Sequence, residues 1–366
     1  MMKMKSRNEA VAHGCGYGRV VRRLVVGALG VLLAPVAAGG QTPSAASPEQ
    51  YLRSLGLDES LLRAADGGQA VVRLLKTDDN RDVAVFGMVA VRASRDSVLA
   101  RALDLEGAIL GQTSRSGVFG NPPTAADVAA VAFDRSEYKG LRNCHPGDCD
   151  FKLSTSAMQA FIGDVDWSSP NAKSQADQRL RDDLLRLVAD YETRGNAAMP
   201  VYDDGPGVRA ADAFGAVLAQ AAPTLTEYAP ELHRYLTTYP SERPAFARDF
   251  FHWWEERLPR MRPTLVVDHV VVYTPPNGTA FIARKQLYAS HYFEGRLDLL
   301  AVIEAGAPGG PPVTYLITVR RFRFDYLPGG ILNVRGRVRS HLVEATRDDL
   351  TRERAAIERM SGAPAR

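Results

Sequence analysis

Four apolar segments separated by turn residues occupy much of the last third of the chain. They are rich in Val, Ile, Leu and aromatic side chains, and they cover 265–273, 280–293, 297–304 and 313–325. Consecutive strands with short connections pair antiparallel, because a parallel pair needs a crossover of a dozen or more residues. The sequence therefore predicts an antiparallel meander, followed by a long, charged C-terminal helix around 340–360.

The earlier part of the chain predicts a β-hairpin and a helical block. Segments 69–77 and 82–92 flank a polar turn, and Ser94 then caps a helix. From about 155 to 260 the apolar residues recur at helical spacing, and Gly195 marks the end of one helix. These patterns predict an α+β fold, in which an antiparallel sheet, a long C-terminal helix and a central helical block form a single domain.

The single domain is expected to cover 49–366, with the helical block as an insertion at about 155–260. The aromatic segment 246–258 belongs to this block and is apolar on more than one face, which predicts a helix buried between layers.

The first 40 residues have the organisation of a secretory signal peptide, with basic residues, a short apolar run from Leu24 and then small residues. Residues 41–48 are typical of a flexible linker. Residues 1–40 hold six basic residues and one acidic residue, so the formal charge changes from +3 to −2 without them. The sequence therefore predicts a periplasmic or secreted protein, and it predicts no nucleic-acid partner.

Two cysteines follow the signal segment, Cys144 and Cys149, with His-Pro-Gly-Asp between them. That turn sequence brings the two Cβ atoms within bonding reach. A redox pair would have Cys-x-x-Cys spacing, and a zinc site would need a second Cys/His pair. Export favours disulfides. We therefore expect a structural disulfide, and we expect neither a metal site nor a cofactor.

The segment 285–294 is the most polar part of the predicted sheet. In a regular strand its even-numbered residues share one face: Gln286, Tyr288, Ser290, Tyr292 and Glu294. Hydroxyls and an amide in apolar surroundings are typical of a ligand pocket. Gln286, Tyr288 and Tyr292 are therefore predicted to face a ligand, with Trp253 and Trp254 enclosing the cavity. An ordinary solvated sheet face is the alternative.

His291 is the candidate for acid–base catalysis, with Glu294 or Lys285 nearby. A histidine on a strand is more often simply packed and hydrogen-bonded. Asp268 and His269 do not form a dyad by themselves, because neighbours on a strand point to opposite faces.

Six arginines close to the end of the predicted sheet form a basic set: Arg320, Arg321, Arg323, Arg335, Arg337 and Arg339. Several alternate with apolar or small residues, so one sheet face is predicted to present guanidinium groups to phosphate or carboxylate. Arg321, Arg323 and Arg337 are the anion-binding candidates. A solvated face balanced by nearby acids is the alternative.

Two motifs resemble signatures of a group of exported bacterial proteins: Cys-x4-Cys-Asp-x-Lys-Leu at 144–153 and Lys-Gln-Leu-Tyr-Ala-Ser-His-Tyr-Phe at 285–293. That resemblance implies export and brings no activity with it. The order of elements more distantly resembles the helix-grip fold of START-like and polyketide-cyclase-like proteins. Those folds wrap a curved sheet around a long helix and enclose an apolar cavity. The helical block departs from that pattern, and fold alone does not fix function.

The sequence favours an exported protein that binds an apolar or amphipathic, lipid-like small molecule under the sheet. Contact with a membrane surface is a further expectation. A hydrolase or isomerase using His291 is one alternative. An envelope protein that docks an acidic partner through its arginine face is the other.

Overall fold

The computed structural model describes residues 46–103, 115–258, 261–276, 279–305, 311–327 and 333–362. The predicted signal peptide and residues 41–45 of the predicted linker lie outside these ranges. The described residues belong to one compact unit.

An antiparallel sheet forms the centre of this unit. Its strands are β1 (Val71–Leu75), β2 (Asp82–Val91), β3 (Ser116–Val118), β6 (Ala247–Glu256), β7 (Thr264–Tyr273), β8 (Ala280–Ala289), β9 (Phe293–Glu304) and β10 (Thr314–Phe324), while β4 (Val201–Tyr202) and β5 (Val208–Arg209) form a separate small hairpin. The spatial order is β1-β2-β10-β9-β8-β7-β6-β3. Strands β7 to β10 are the predicted meander, and β10 joins it to the predicted hairpin of β1 and β2.

Helices cover both faces of the sheet. They are α1 (Pro48–Ser54), α2 (Ser60–Asp66), α3 (Arg95–Leu103), α4 (Arg135–Leu141), α5 (Thr155–Asp164), α6 (Ala172–Arg194), α7 (Ala210–Tyr228), α8 (Pro230–Thr238) and α9 (Val334–Met360), with short 3-10 turns at Ala125–Val128 and Gly195–Ala198. The α+β class and the long C-terminal helix are confirmed.

One face of the sheet packs against the central helices. In α6 the buried residues Leu180, Leu184, Val188 and Tyr191 follow helical spacing, so one side of the helix lies against the sheet. We call this side of the sheet the helical face. It forms the larger hydrophobic core.

The opposite face packs against α9, which contacts β1 and β2, and we call it the α9 face. Gly87 of β2 makes the close approach possible. A Cβ atom there would lie 2.7 Å from Leu350 Cδ1 and 2.8 Å from Thr346 Cγ2. Since both faces are covered, the strands are apolar almost throughout rather than alternating.

The predicted helix over 246–258 is wrong, because this segment forms strand β6. Phe251 and Trp253 belong to the hydrophobic core on the helical face, whereas Trp254 belongs to the core on the α9 face. A strand buried on both faces is as apolar all round as a buried helix, so periodicity alone could not separate the two. The helices of the central block therefore end at Thr238.

No helix in the described ranges is long and apolar enough to cross a membrane.

Candidate functional site

The segment that follows the disulfide loop packs against the turn between β8 and β9. The predicted bond between Cys144 and Cys149 is present, with Cα atoms 4.5 Å apart. Beyond it, the Lys152 amide donates to the carbonyl of Ser290 at 2.9 Å. The two sequence motifs that carry the family resemblance therefore meet in space.

His291 stabilises the contact between the turn and the segment after the disulfide through two hydrogen bonds. Its Nδ1 lies 2.7 Å from the carbonyl of Asp150, and its Nε2 lies 3.1 Å from Glu137 Oε1. The side chain is only 3% exposed. Because both ring nitrogens have protein partners, the geometry assigns His291 a positioning task in the turn.

Tyr292 and Glu294 also connect the turn between β8 and β9 to neighbouring segments. Tyr292 has a φ of 57°, its hydroxyl accepts from the Arg262 amide at 2.9 Å, and its carbonyl accepts from the Asp325 amide at 2.8 Å. Glu294 pairs with Arg81 at 3.2 Å. Residues 290–292 therefore form the turn, and the predicted continuous strand at 280–293 is wrong at its end.

A β-bulge breaks the predicted alternation in β8. Tyr288 pairs with Val267 and Gln286 pairs with Asp268, so Leu287 is an extra residue in the strand. A bulge reverses the alternation beyond it. The predicted common face of Gln286, Tyr288 and Tyr292 is therefore wrong, and Tyr288 lies in the helical core with Leu287.

Tyr288 lines a cleft between β8 and helices α5 and α6. The cleft has a volume of about 360 Å³, and its apolar lining includes Leu153, Leu180, Leu184 and Leu187. This volume lies at the lower end of the range for small-molecule sites, which are typically apolar with a few polar groups.

The Tyr288 hydroxyl has no hydrogen-bond partner among the described residues, although it is buried. Burial raises the pKa of this hydroxyl well above its usual value, so it keeps its proton at neutral pH. Tyr288 thus brings an unused hydrogen-bond donor to the wall of a mostly apolar cleft.

Charged residues of both signs surround the mouth of the cleft and form ion pairs with one another. Arg179 pairs with Asp183 at 2.9 Å, as does Arg186. Lys152 pairs with Asp204 at 3.4 Å and with Asp325 at 3.1 Å. Since carboxylates already neutralise these cations, the mouth has no strong preference for ligands of either charge.

A second cavity of about 210 Å³ lies beside Trp253, and Leu180 borders both cavities. The indole of Trp253 donates to the Asp127 carbonyl at 2.8 Å, whereas that of Trp254 donates to Asp268 on the α9 face at 2.8 Å. The two tryptophans, adjacent on a strand, therefore do not line a common cavity.

Lys285 is fully buried on the helical face and begins a polar network with Tyr191, His269 and Asp249. Its Nζ donates to Tyr191 Oη at 2.8 Å, to the Leu236 carbonyl at 3.2 Å and to Asn196 Oδ1. All three acceptors are neutral. Burial lowers the pKa of Lys285 well below its usual value.

The Lys285 network continues from Tyr191 to a buried histidine. Tyr191 Oη lies 3.3 Å from His269 Nδ1, and His269 Nε2 lies 3.4 Å from Asp249 Oδ2. Asp249 also accepts from Tyr235 and pairs with Arg243. A neutral His269 protonated on Nε2 satisfies every contact. Asp268 and His269 lie on opposite faces, as predicted.

We expect the His269 ring to stay neutral down to about pH 4. Burial lowers its pKa to about 4, from 6.5 in an unfolded chain. Between these two pH values the unfolded chain binds more protons at His269 than the folded protein does. The contribution of His269 to the free energy of unfolding is therefore fully present above pH 6.5 and decreases toward pH 4. The slope contributed by His269 approaches about 1.4 kcal/mol per pH unit. The ¹⁵N chemical shifts of the His269 ring measure its pKa, and urea unfolding at several pH values measures the pH dependence of the free energy of unfolding. A ring that titrates near pH 6.5 contradicts the prediction.

The arginine set does not form the predicted single sheet face. Arg321 and Arg323 lie on β10, where they contact Gln220 at 3.2 Å and Asp82 at 2.9 Å. Arg335, Arg337 and Arg339 lie in the first turns of α9, because that helix begins at Val334. Alternation with small residues had suggested a strand there, and this prediction is wrong.

Sequence reasoning missed Lys152, Leu184 and Leu187 as site residues. The two leucines belong to the apolar residues that recur at helical spacing within 155–260, and that spacing predicts a helix without marking a cleft. Lys152 offered a signal, since a lysine between Phe151 and Leu153 has an apolar setting that a surface lysine lacks.

Comparisons with known proteins give this chain no neighbour. Neither protein-family models, nor curated proteins, nor solved structures match it. The resemblance to exported bacterial proteins and to the helix-grip fold therefore stays a prediction. Among the described residues, no group of His, Cys, Asp and Glu side chains is arranged to hold a metal ion.

Proposed function

We propose that the protein binds a small amphipathic, lipid-like molecule in the cleft between β8, α5 and α6. One observation carries this proposal: Tyr288, which lines a cleft together with several leucines, has a buried hydroxyl that is unpartnered among the described residues. A buried polar group without a partner costs about 1–3 kcal/mol, and a ligand acceptor atom would remove that cost.

The apolar part of the ligand would contact Leu180, Leu184 and Leu187. Each methylene that leaves water contributes about 0.8 kcal/mol. The ion pairs at the mouth favour a ligand of low net charge, because a charged head group would have to displace an existing partner.

The ligand would be met outside the cytosol. The Cys144–Cys149 disulfide supports this location, since such bonds persist in oxidising compartments. The signal-like first 40 residues support it as well. Periplasmic or secreted function is therefore part of the proposal.

Native mass spectrometry of protein purified from its own host tests the proposal. We expect a co-purifying small molecule, and we expect Leu184→Trp to exclude it by filling the cleft. Tyr288→Phe removes only the hydroxyl and should weaken binding of the dye Nile red about tenfold, as expected for one buried hydrogen bond.

Two matched controls separate binding from general effects. Ile162→Trp adds an indole at a side chain that is 53% exposed, and Tyr326→Phe removes a hydroxyl at one that is 73% exposed. Both should bind like the unmodified protein. Equal binding by Leu184→Trp and Ile162→Trp would refute a ligand in this cleft.

A further inference from the structure

The second cavity, of about 210 Å³, combines an apolar wall with charged side chains of both signs. Its main apolar lining residues are Val131, Phe133, Phe151, Leu180, Trp253 and Leu265. Its charged lining residues are Arg115, Asp134, Glu137, Glu255 and Arg257. Sites for drug-sized ligands begin at about 300 Å³, so this cavity suits a smaller molecule.

The charged residues next to β3 and β6 carry an excess of positive charge. Arg257 pairs with Glu255 Oε1, and Arg115 lies 3.5 Å from Glu255 Oε2, so two arginines share one carboxylate. Arg115 also donates to the carbonyls of Ala130 and Ala132, which are neutral. The side chain of Arg257 is 58% exposed, so the cavity can be reached from solvent beside it.

The carboxylates at the start of α4 have no lysine or arginine within ion-pair distance in the described ranges. Glu137 contacts His291 at 3.1 Å, and Asp134 accepts from the Glu137 amide at 2.7 Å. Burial raises the pKa of Asp134, but hydrogen bonds within its own turn outweigh this and hold it below its usual value, so the carboxylate is charged at pH 7. Arg262, whose charge also acts on Asp134, pairs with Asp150 at 3.0 Å.

Opposite charges on separate elements select a ligand that carries both charges. A ligand with a single charge would pair with one set and leave the other unmatched, and a charge removed from water is tolerated only when it is paired. Guanidinium groups bind carboxylates through paired hydrogen bonds. A carboxylate such as that of Asp134 accepts from an ammonium group. The apolar lining then accommodates an apolar substituent.

We propose that the second cavity binds a free α-amino acid with a small apolar side chain. Arg115 and Arg257 bind its carboxylate, Asp134 binds its ammonium group, and its side chain packs on Phe151 and Leu265. This site is separate from the Tyr288 cleft, so it does not depend on the lipid-like ligand proposed above.

Three probes that share one branched apolar group test the proposal with the full protein. At pH 7 free L-leucine carries both charges, isocaproate lacks the ammonium group and isoamylamine lacks the carboxylate. Isothermal titration calorimetry should show that leucine binds about tenfold more tightly than either of the others, because each of them loses one charge-assisted contact.

Two variants assign one charge of the ligand to each part of the cavity. Arg257→Gln should weaken leucine binding about tenfold and leave isoamylamine binding unchanged. Asp134→Asn should weaken leucine and isoamylamine binding about tenfold and leave isocaproate binding unchanged. Asparagine caps helices as well as aspartate does, so this variant keeps the start of α4.

Matched controls use the same substitutions elsewhere. Arg234→Gln changes an arginine that is 61% exposed, and Asp166→Asn changes an exposed aspartate outside the cavity. Both should bind leucine like the unmodified protein. Leu184 does not line the second cavity, so Leu184→Trp should also bind leucine normally, and the two proposed sites can fail separately.

Three results would overturn the proposal. One is the absence of leucine binding, and another is equal affinity for leucine, isocaproate and isoamylamine. The third is leucine binding that Arg257→Gln and Asp134→Asn leave unchanged.

Discussion

Replacing Arg296 by methionine is expected to lower the free energy of unfolding by about 3–5 kcal/mol. The Arg296 side chain is 1% exposed and bonds to Asp298 at 3.0 Å and to Glu256 at 3.0 Å. Its guanidinium also lies 4.9 Å from the Trp254 ring and 4.8 Å from the Phe322 ring. Removing only the cation leaves two carboxylates with less compensation, and this penalty exceeds the gain from a more apolar side chain.

Urea unfolding measures this effect. The matched control is Arg186→Met, since Arg186 also pairs with an aspartate but its side chain is 57% exposed. A surface pair contributes about 0–1 kcal/mol, so the control should change little. The double variant Arg296→Met/Asp298→Leu should recover part of the loss. A loss below about 1 kcal/mol for Arg296→Met would contradict the buried-network interpretation.

Gly195→Ala is expected to cost about 3 kcal/mol or more. Gly195 ends α6 with φ 55° and ψ −136°, a backbone conformation that essentially only glycine adopts. A Cβ atom there would also overlap the carbonyl oxygen of Tyr239. Tyr239 stacks on Tyr191 with ring centroids 4.7 Å apart, so the displacement would reach the Lys285 network.

Gly215→Ala is the control for that substitution. Gly215 lies inside α7, and a Cβ atom there meets nothing within 4 Å. Alanine should stabilise this helix by about 0.5–1 kcal/mol. The midpoint temperature of thermal unfolding should therefore fall for Gly195→Ala and rise for Gly215→Ala. If Gly195→Ala left the stability unchanged, the C-terminal end of α6 would have to adjust its backbone without cost.

Sequence patterns predicted the meander, the hairpin and the C-terminal helix because local signals define them. Turn residues divide the strands, and charged residues at helical spacing define α9. Strand β6 was missed because it is apolar on both faces, with Phe251 and Trp253 on one face and Trp254 on the other. Which elements cover the two faces depends on the rest of the chain, so the local sequence does not show it.

The candidate site was predicted in part. Tyr288 was named as facing a ligand, and the structure places it in a cleft, but through a bulge at Leu287 that reverses the assumed alternation. No residue type in that stretch marks a bulge, since neither Gly nor Pro is present. The contact of Lys152 with Ser290 joins segments far apart in sequence, which periodicity cannot reveal.

The pairing of β2 with β10 limits when this protein can fold. Val91 lies opposite Thr314, so a central ladder of the sheet joins an early segment of the chain to a late one. Helix α9, which packs on β2, comes later still. Closing such a long loop carries an entropic cost that is offset only once both strands are present. A nascent chain that lacks β10 would leave β2 with one open edge, so this ladder of the sheet can form only after β10 has been synthesised. Under the export proposed above, in which the chain would cross a membrane before it folds, such late closure would be an advantage.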